Sequence, residues 1–477
     1  MVSARWASVR TSIKYIRCLL RSALDSIEIG IEADWRYVGQ YFGKAASERP
    51  PGVAVRRTAT ISPVNLPPSD RAEPRASQAR LIVYSSLFPS AAAPQAGIFI
   101  RERMFRVAKH LPIVIVAPQA WSPIDWLIRL LRPGFRPVAP AHEVMDGIEV
   151  HRPRWLSLPG VAKRFDGWLM WRGTERCVRR IHARFRATAI DAHFLYPDGW
   201  AATRIASRLG LPCTITLRGS KDEWLIGTDR EPMLVQAMQR ATHLIAVSAA
   251  LKANVAVKLG IAPDKVTVIG NGVDLGRFGP VDKVEARERL GLPVDATVLI
   301  GVGNLVPLKG FQRVIPLLPA LRERFPGLRF LIVGGGASQG DMRAELETLA
   351  RQQGVHDIVQ FCGRQPHEAL KWYYGAADLF AQATEMEGWS NVFLEAMACG
   401  LPVVTTRVGG NPEVVADPAV GELVDWWDAD AFREAIARGL SRQWDREALM
   451  AYARANTWDR RVDELVELFD SNDWSES

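Results

Sequence analysis

The chain has 477 residues, 48% hydrophobic and 23% charged, a balance that fits two or three globular domains around a large buried core. Its five cysteines, at positions 18, 177, 213, 362 and 399, are odd in number, scattered and without metal-type spacing, which argues against a disulfide framework and a zinc site and points to a reducing cytosol. A formal net charge of +8 favours anionic partners without choosing among lipid head groups, nucleic acid and sugar phosphates. No apolar run approaches the roughly 18 residues of a membrane span, so the chain is expected not to cross a bilayer.

Residues 1–79 read as an extension. Ile13, Ile16, Leu20, Leu24, Ile27 and Ile31 recur at helical steps with Arg10, Lys14, Arg17 and Arg21 off that stripe, the pattern of one amphipathic helix. From Glu48 to Gln78 the composition turns to Pro, Ser, Arg and Ala, a linker composition. Regular structure starts with the strand Arg80–Ser85, the helix Ile98–His110 and the strand Leu111–Ala117, a strand–helix–strand order that opens a parallel doubly wound sheet. Pro123 to Phe135 is a short basic amphipathic piece, and Arg129, Arg132, Arg136, Arg152, Arg154, Lys163, Arg164 and Arg172 interleave with Trp121, Trp126, Trp155, Trp168 and Trp171. Aromatic and basic side chains together suit an anionic membrane surface; core plus solvated face is the plain alternative, and both stay open. The basic residues join no recognisable nucleic-acid module, so nucleic acid is not expected as a partner.

Later strands of this half end near His193, at Leu217 before Arg218-Gly219-Ser220, and at Val247 before Ser248. Ligands of open α/β sheets collect at strand carboxyl ends. His193, Asp198, Arg218 and Ser248 are therefore candidates for one cleft wall, against the reading of each as a satisfied structural group. Lys265–Ile269 runs into Asn271-Gly-Val-Asp274, and a boundary falls near 275 to 290. A second strand–helix series follows: strand Thr297–Gly301, helix Phe311–Arg324, strand Arg329–Val333, helix Asp341–Gln353, strand Ile358–Phe361, helix His367–Ala376 and strand Leu379–Gln382. Helices Ala431–Leu440 and Asp459–Phe469 close the chain. The division is thus 1–79, 80–277, 278–445 and 446–477, the last a helix crossing back to the first domain.

Several familiar sites fail on spacing. Gln339 stands where a dinucleotide fingerprint needs its third glycine, Leu308 where a P-loop needs Gly, and no Gly-x-Ser-x-Gly elbow occurs. Asp428-Ala-Asp430 opens a helix and fits an N-cap better than a metal. No cofactor and no metal are expected.

The stretch Glu387-Gly-Trp-Ser-Asn-Val-Phe-Leu-Glu395 reads as a loop entering a helix, closed by Gly400 and Pro402 before a Val-rich strand. If Trp389, Ser390 and Asn391 form the first turn, their free N–H groups make a seat for phosphate, with Glu387 beside it. Glu395 lies about two turns further on the same side. That spacing suits two grips on one extended polar ligand better than a carboxylate dyad; the bland alternative is a pair of solvated glutamates.

Joined to Gly303-Asn-Leu-Val-Pro-Leu-Lys309-Gly310, Asn271-Gly-Val-Asp274, Gly334-Gly-Gly336 and Gly409-Gly410-Asn-Pro-Glu413, this stretch resembles the family-4 retaining glycosyltransferases, over residues 80 to 470. The runs Phe88–Arg103, Ala192–Ala202 and Thr216–Ser220 resemble its polysaccharide-assembly, teichuronic-acid-type branch. The resemblance implies a GT-B fold: two Rossmann-like doubly wound domains facing a cleft, acceptor on the first and nucleotide sugar on the second. It implies that Glu395 accepts from the ribose hydroxyls and that Glu387 contacts the donor sugar. Lys309 would neutralise the diphosphate, with the backbone of Trp389, Ser390 and Asn391 and the loop at Gly97. Asn304, Gly334, Gly363, Gly388 and Val392 complete the expected donor site. Glu387, Lys309, Arg218 and His193 are the expected catalytic set, with Asp198 and Ser248 toward the acceptor.

Two departures stand out. Asn304 replaces an arginine that usually joins the lysine on the diphosphate; Asn donates hydrogen bonds but no charge, so Arg218 or Arg407 is the expected substitute. Arg218 itself replaces a histidine and would suit an anionic sugar or a lipid phosphate. The expected reaction moves a hexosyl unit from a UDP- or GDP-linked sugar to a hydroxyl of a glycan or lipid-linked acceptor in cell-surface polysaccharide synthesis, in the cytoplasm or peripherally at the inner face of the plasma membrane. The rivals are a GT-B epimerase or hydrolase, with His193 and Asp198 as acid/base groups, and a non-catalytic nucleotide-sugar-binding protein.

Overall fold

The computed structural model describes residues 79–131, 134–336, 340–426 and 428–470. The amphipathic helix and linker expected within residues 1–78 lie outside the described residues, as does Arg132. In chain order the first half supplies β1 (Leu81–Tyr84), β2 (Ile113–Val116), β3 (Gln119–Trp121), β4 (His142–Met145), β5 (Ile148–His151), β6 (Arg154–Leu156), β7 (Ala189–His193), β8 (Cys213–Leu217), β9 (His243–Ala246) and β10 (Val266–Val268). Eight of these form one sheet in the order β10-β9-β8-β7-β1-β2-β5-β4, while β3 and β6 pair separately. Every neighbour in the large sheet is parallel except the hairpin β4–β5. The second half gives β11 (Thr297–Val302), β12 (Leu328–Val333), β13 (Val359–Gly363), β14 (Leu379–Gln382), β15 (Val403–Thr406) and β16 (Gly421–Val424), all parallel, ordered β13-β12-β11-β14-β15-β16. Both sheets lie within one compact unit.

The central strands are continuous apolar runs because helices cover both faces. Leu81 and Val83 pack with Ile100, Met104 and Val107 of α1 (Ile98–Val107). Ile82 and Tyr84, pointing the other way, meet Met170 and Val178 of α2 (Asp166–Phe185) and Ile205 of α3 (Trp200–Leu209). In the second sheet Val298 and Ile300 face one layer and Leu299 the other. Strand order reverses between β1 and β7 in the first sheet and between β11 and β14 in the second, and carboxyl-end loops at such switch points are where α/β sheets hold ligands.

Some elements differ from the sequence reading. The expected helix Phe311–Arg324 is broken into Phe311–Val314, a 3-10 turn Ile315–Leu317, and Leu318–Arg324. Pro316 and Pro319 supply no N–H to a continuous ladder. The hairpin β4–β5 and the long helix α2 were not anticipated between Phe135 and His193. Asp428 is an N-cap, its carboxylate accepting from the Ala431 N–H at 2.9 Å.

Beyond α4 (Asn391–Ala398), the chain ends in α5 (Arg446–Ala455) and α6 (Trp458–Asp470). Leu449 and Ala453 of α5 pack with the second sheet, whereas Val462, Leu465 and Phe469 of α6 pack beside α1 on the first. The joint is tight: Val273 N–H donates to the Asn456 carbonyl at 3.0 Å, and a Cβ on Gly272 would lie 2.3 Å from the Trp458 nitrogen. The last helix therefore ties the halves together through apolar burial. Leu465→Ala should cost about 2–5 kcal/mol, read as a lowered urea midpoint; an unchanged midpoint would show that α6 is dispensable to the fold.

Candidate active site between the two sheets

The loop after β11 carries Lys309 at the end of a 3-10 turn, and Gly310 (φ 75°) lets the chain turn there. A Cβ on Gly310 would sit 1.7 Å from the Ala383 carbonyl, so only glycine allows this loop to lie on the loop after β14. Across that contact the Lys309 ammonium pairs with Glu387, both side chains mostly buried. Glu387 is fixed from below, its carbonyl accepting from the Gly410 N–H at 2.9 Å. A side chain on Gly409 would strike the same carbonyl. The Gly409-Gly410 pair thus exists to let one backbone run under another.

Helix α4 begins at Asn391, so Trp389 and Ser390 precede it rather than forming its first turn. Ser390 holds the N-cap position without a side-chain bond to the helix, which leaves the positive end of the dipole facing the cleft. Glu395 is buried further along α4. One of its oxygens accepts from the Tyr374 hydroxyl at 3.0 Å and the other lies 3.1 Å from His367 Nε2. Arg277 Nη1 approaches His367 Nδ1 at 2.8 Å, which makes Nδ1 the acceptor and Nε2–H the donor to Glu395. Glu395 is held in place by two side chains and retains lone pairs for a ligand.

The opposite wall comes from the first sheet. Arg218, just past β8, directs Nη2 to His193 Nδ1 at 3.0 Å and Nη1 to the Asn271 side-chain oxygen at 3.2 Å. Asn271 in turn donates to the Asn391 side-chain oxygen at 3.1 Å, linking the two halves. His193 is fully buried behind Arg218, with Nε2 3.5 Å from Asp191. Burial, and then the charges of Arg218 and Arg103, hold the His193 imidazole well below its ordinary range, so it is neutral. Burial also pushes the Asp191 carboxyl up to about 6. This row positions the Arg218 guanidinium; His193 itself does not reach the cleft.

These loops enclose a cleft of about 340 Å³. Of the expected residues, Arg218, Asn304, Lys309, Gly334 and Glu387 line it, as do Trp389, Ser390, Asn391 and Val392. Glu395 lines an adjoining cavity of about 190 Å³ that shares Phe99, Leu370, Asn391 and Val392 with the cleft. Gly97 is the left-handed N-cap of α1, two residues from the lining Phe99. Gly363 (φ 68°) turns the chain before Arg364. Gly388 packs against the other half: its Cβ would lie 2.6 Å from the Gly219 Cα.

Asp198 and Ser248 lie outside the lining. Asp198 accepts from the Ser86 N–H and hydroxyl, and Ser248 caps the turn Ala249–Leu251 through the Leu251 N–H. Arg407 also lies away from the cleft, exposed and paired with Asp425 at 2.8 Å. The cation missed from the sequence is Arg364, which lines the cleft and donates to the Gly336 carbonyl at 2.6 Å. Its position just past β13 was the available signal, since strand ends face the ligand side. Also missed were Gln382, buried at the end of β14 with neither amide atom partnered among the described residues, and Glu413. The Glu413 carboxylate accepts from the Ala249 and Ala250 N–H groups at 2.8 and 3.0 Å, a clasp between the halves.

Comparison with known proteins agrees with this architecture. Sucrose-phosphate synthase from Thermosynechococcus elongatus superposes with a TM-score of 0.65 at 20% identity, covering 83% of this chain and 98% of that one. HepE of Anabaena, in complex with UDP, gives 0.62 at 18% identity, covering 82% and 100%. The family model described as Glycosyltransferase Family 4 matches residues 128–277, and that described as Glycosyl transferases group 1 matches residues 282–456. Fold and family models together define a glycosyltransferase of the GT-B class.

Among curated relatives, the D-inositol 3-phosphate glycosyltransferase of Actinosynnema mirum is 45% identical over 219 residues, 43% of this chain and 51% of the relative. The protein of the same name from Segniliparus rotundus is 33% identical over 343 residues, 69% and 76%. The chain thus spans about half the length of the first and three quarters of the second. It belongs to the family-4 glycosyltransferases.

Gly388→Ala should wedge the two backbones apart and lower kcat/KM for glycosyl transfer roughly hundredfold, the scale of a misplacement of about 1 Å. Gly279→Ala, where a Cβ meets nothing within 4 Å, should be near neutral. Equal activity of the two variants would show that this close approach does not set the cleft.

Proposed function

We propose that the chain is a retaining hexosyltransferase that takes its sugar from a UDP- or GDP-linked donor and gives it to a hydroxyl of a glycan or lipid-linked acceptor in cell-surface polysaccharide synthesis, as in the teichuronic-acid-type branch. The observation that carries the reading is the convergence of Lys309, Glu387 and the uncapped start of α4 on one cleft. Negative charge gathers on the departing diphosphate as the glycosidic bond breaks, and fixed donors aimed at that charge are the main catalytic lever. Lys309 and the α4 backbone supply them. Arg364 stands as the second cation in place of the one absent at Asn304. Glu387 contacts the donor sugar and Glu395 the ribose. Retention follows from front-face attack, with the departing phosphate oxygen taking the acceptor proton. Contacts such as the Glu413 clasp bring the halves together and exclude water, a competing acceptor.

Arg218 faces the acceptor side with its guanidinium held by His193 and Asn271, which favours an anionic acceptor. The relatives named D-inositol 3-phosphate glycosyltransferase favour a second reading, a small phosphorylated polyol as acceptor. A membrane-bound acceptor draws support from the helix Asp125–Leu131, where Trp126 is 64% and Leu130 70% exposed beside Arg129. No helix among the described residues is long and apolar enough to cross a membrane. Trp155, by contrast, is core.

Three measurements test this. Lys309→Ala should lower kcat roughly 100- to 1,000-fold, the range seen when one charge-stabilising donor is removed. Release of free nucleotide should require an acceptor; sugar product formed without one would favour an epimerase or hydrolase, and no turnover with any acceptor a binding protein. Because Arg364 fills the role, Asn304→Arg should leave donor affinity nearly unchanged, whereas a clear tightening would mean that the site lacks a second cation.

A further inference from the structure

The hairpin β4–β5 carries a group of side chains unrelated to the cleft. Its turn, Asp146-Gly147, has φ of 48° and 81°, the left-handed pair that a two-residue hairpin with right-handed strand twist requires. This turn fixes the register, so that His142 stands opposite His151 and Val144 opposite Glu149. Alternation then puts His142, His151 and Glu149 on one face, while Met145, Ile148 and Val150 face the apolar layer behind. The imidazole centroids are 4.7 Å apart. His151 Nε2 lies 2.9 Å and His142 Nε2 3.8 Å from the same Glu149 oxygen. Among the described residues, one ligand atom from each of the three lies within 4.8 Å of the others.

We propose that His142, Glu149 and His151 form a binding site for one zinc-type divalent transition metal ion. Two imidazoles and a carboxylate are a recurring zinc donor set, and metal–ligand bonds near 2.1 Å place tetrahedral ligand atoms about 3.4 Å apart. The separations of 2.9 and 3.8 Å straddle that value and all three ligand atoms lie within 4.8 Å of one another, so rotation of the side chains can close the set around one ion. The open outer face leaves the fourth position to water. Arg184 of α2 pairs with Glu149; its side chain is 66% exposed and can swing into solvent when a cation takes the carboxylate. The spacing of these residues in sequence matches no metal motif, because hairpin register rather than a helix turn or a short loop brings them together. β4 is the edge strand of its sheet, remote in strand order from the β1/β7 switch point, so the ion is not part of sugar transfer. It would cross-link the outermost strand to its neighbour.

The test uses the full chain stripped with a chelator and titrated with Zn²⁺ by calorimetry, with Co²⁺ as an optical probe. The expected result is one equivalent bound, with Co²⁺ visible bands lacking thiolate charge-transfer absorption. His142→Ala and His151→Ala should each weaken binding by at least the roughly 10- to 100-fold that loss of an outer-shell partner costs, with unchanged far-UV circular dichroism. Absence of binding, binding by either variant as tight as by the unaltered chain, or a thiolate band would each overturn the assignment.

Discussion

The Lys309–Glu387 ion pair ties the loop after β11 to the loop after β14, across the point where the order of the second sheet reverses. Much else in the molecule follows from keeping those two loops at that distance. Gly310 has no side chain because the loops touch backbone to backbone, and Gly409 and Gly410 have none because a third loop passes beneath Glu387. Glu387 is followed by Gly388, whose bare Cα meets Gly219 of the other half. A single ion pair of this kind is worth little to stability by itself once desolvation is counted. Its value here is geometric, since it holds a cation at a defined place in a cleft that an anionic ligand can enter.

That placement also makes sense of the other charges. In the proposed reaction a diphosphate competes with Glu387 for Lys309, and Glu387 is freed toward the sugar while Arg364 approaches from the end of β13. The opposite wall offers a guanidinium whose partners are neutral or mostly so: His193, kept uncharged by burial, and the Asn271 amide. Among the described residues no carboxylate forms an ion pair with the Arg218 head, an arrangement suited to an anionic substrate. The two halves therefore present positive charge to the cleft from both sides, and the Asn271–Asn391 bond and the Glu413 clasp bring those sides into register.

The alternation of strand and helix made the fold legible, and so did the motif around Glu387, because glycine positions and apolar runs encode close backbone approaches directly. Strand Leu379–Gln382 matches residue for residue. What stayed hidden depended on tertiary placement. Asp198 and Ser248 follow strand ends as expected, yet Asp198 spends its carboxylate on the Ser86 N–H and hydroxyl and Ser248 its hydroxyl on the Leu251 N–H, which no pattern in the chain announces. Arg364 directly follows Gly363, which the resemblance placed in the donor site, yet only the fold brings its side chain to the cleft shared with Asn304 and Lys309. The three metal-type donors of the β4–β5 hairpin were invisible for the same reason, since antiparallel register, unlike helical spacing, has to be known before the partners can be read.

The most direct check on the account is thermal stabilisation of the full chain by a panel of UDP- and GDP-sugars. One nucleotide series should raise Tm in proportion to the logarithm of ligand concentration above its Kd, and Lys309→Ala should abolish most of that rise. No shift with any member of the panel, or an equal shift in the variant, would contradict the placement of the donor between Lys309 and the start of α4.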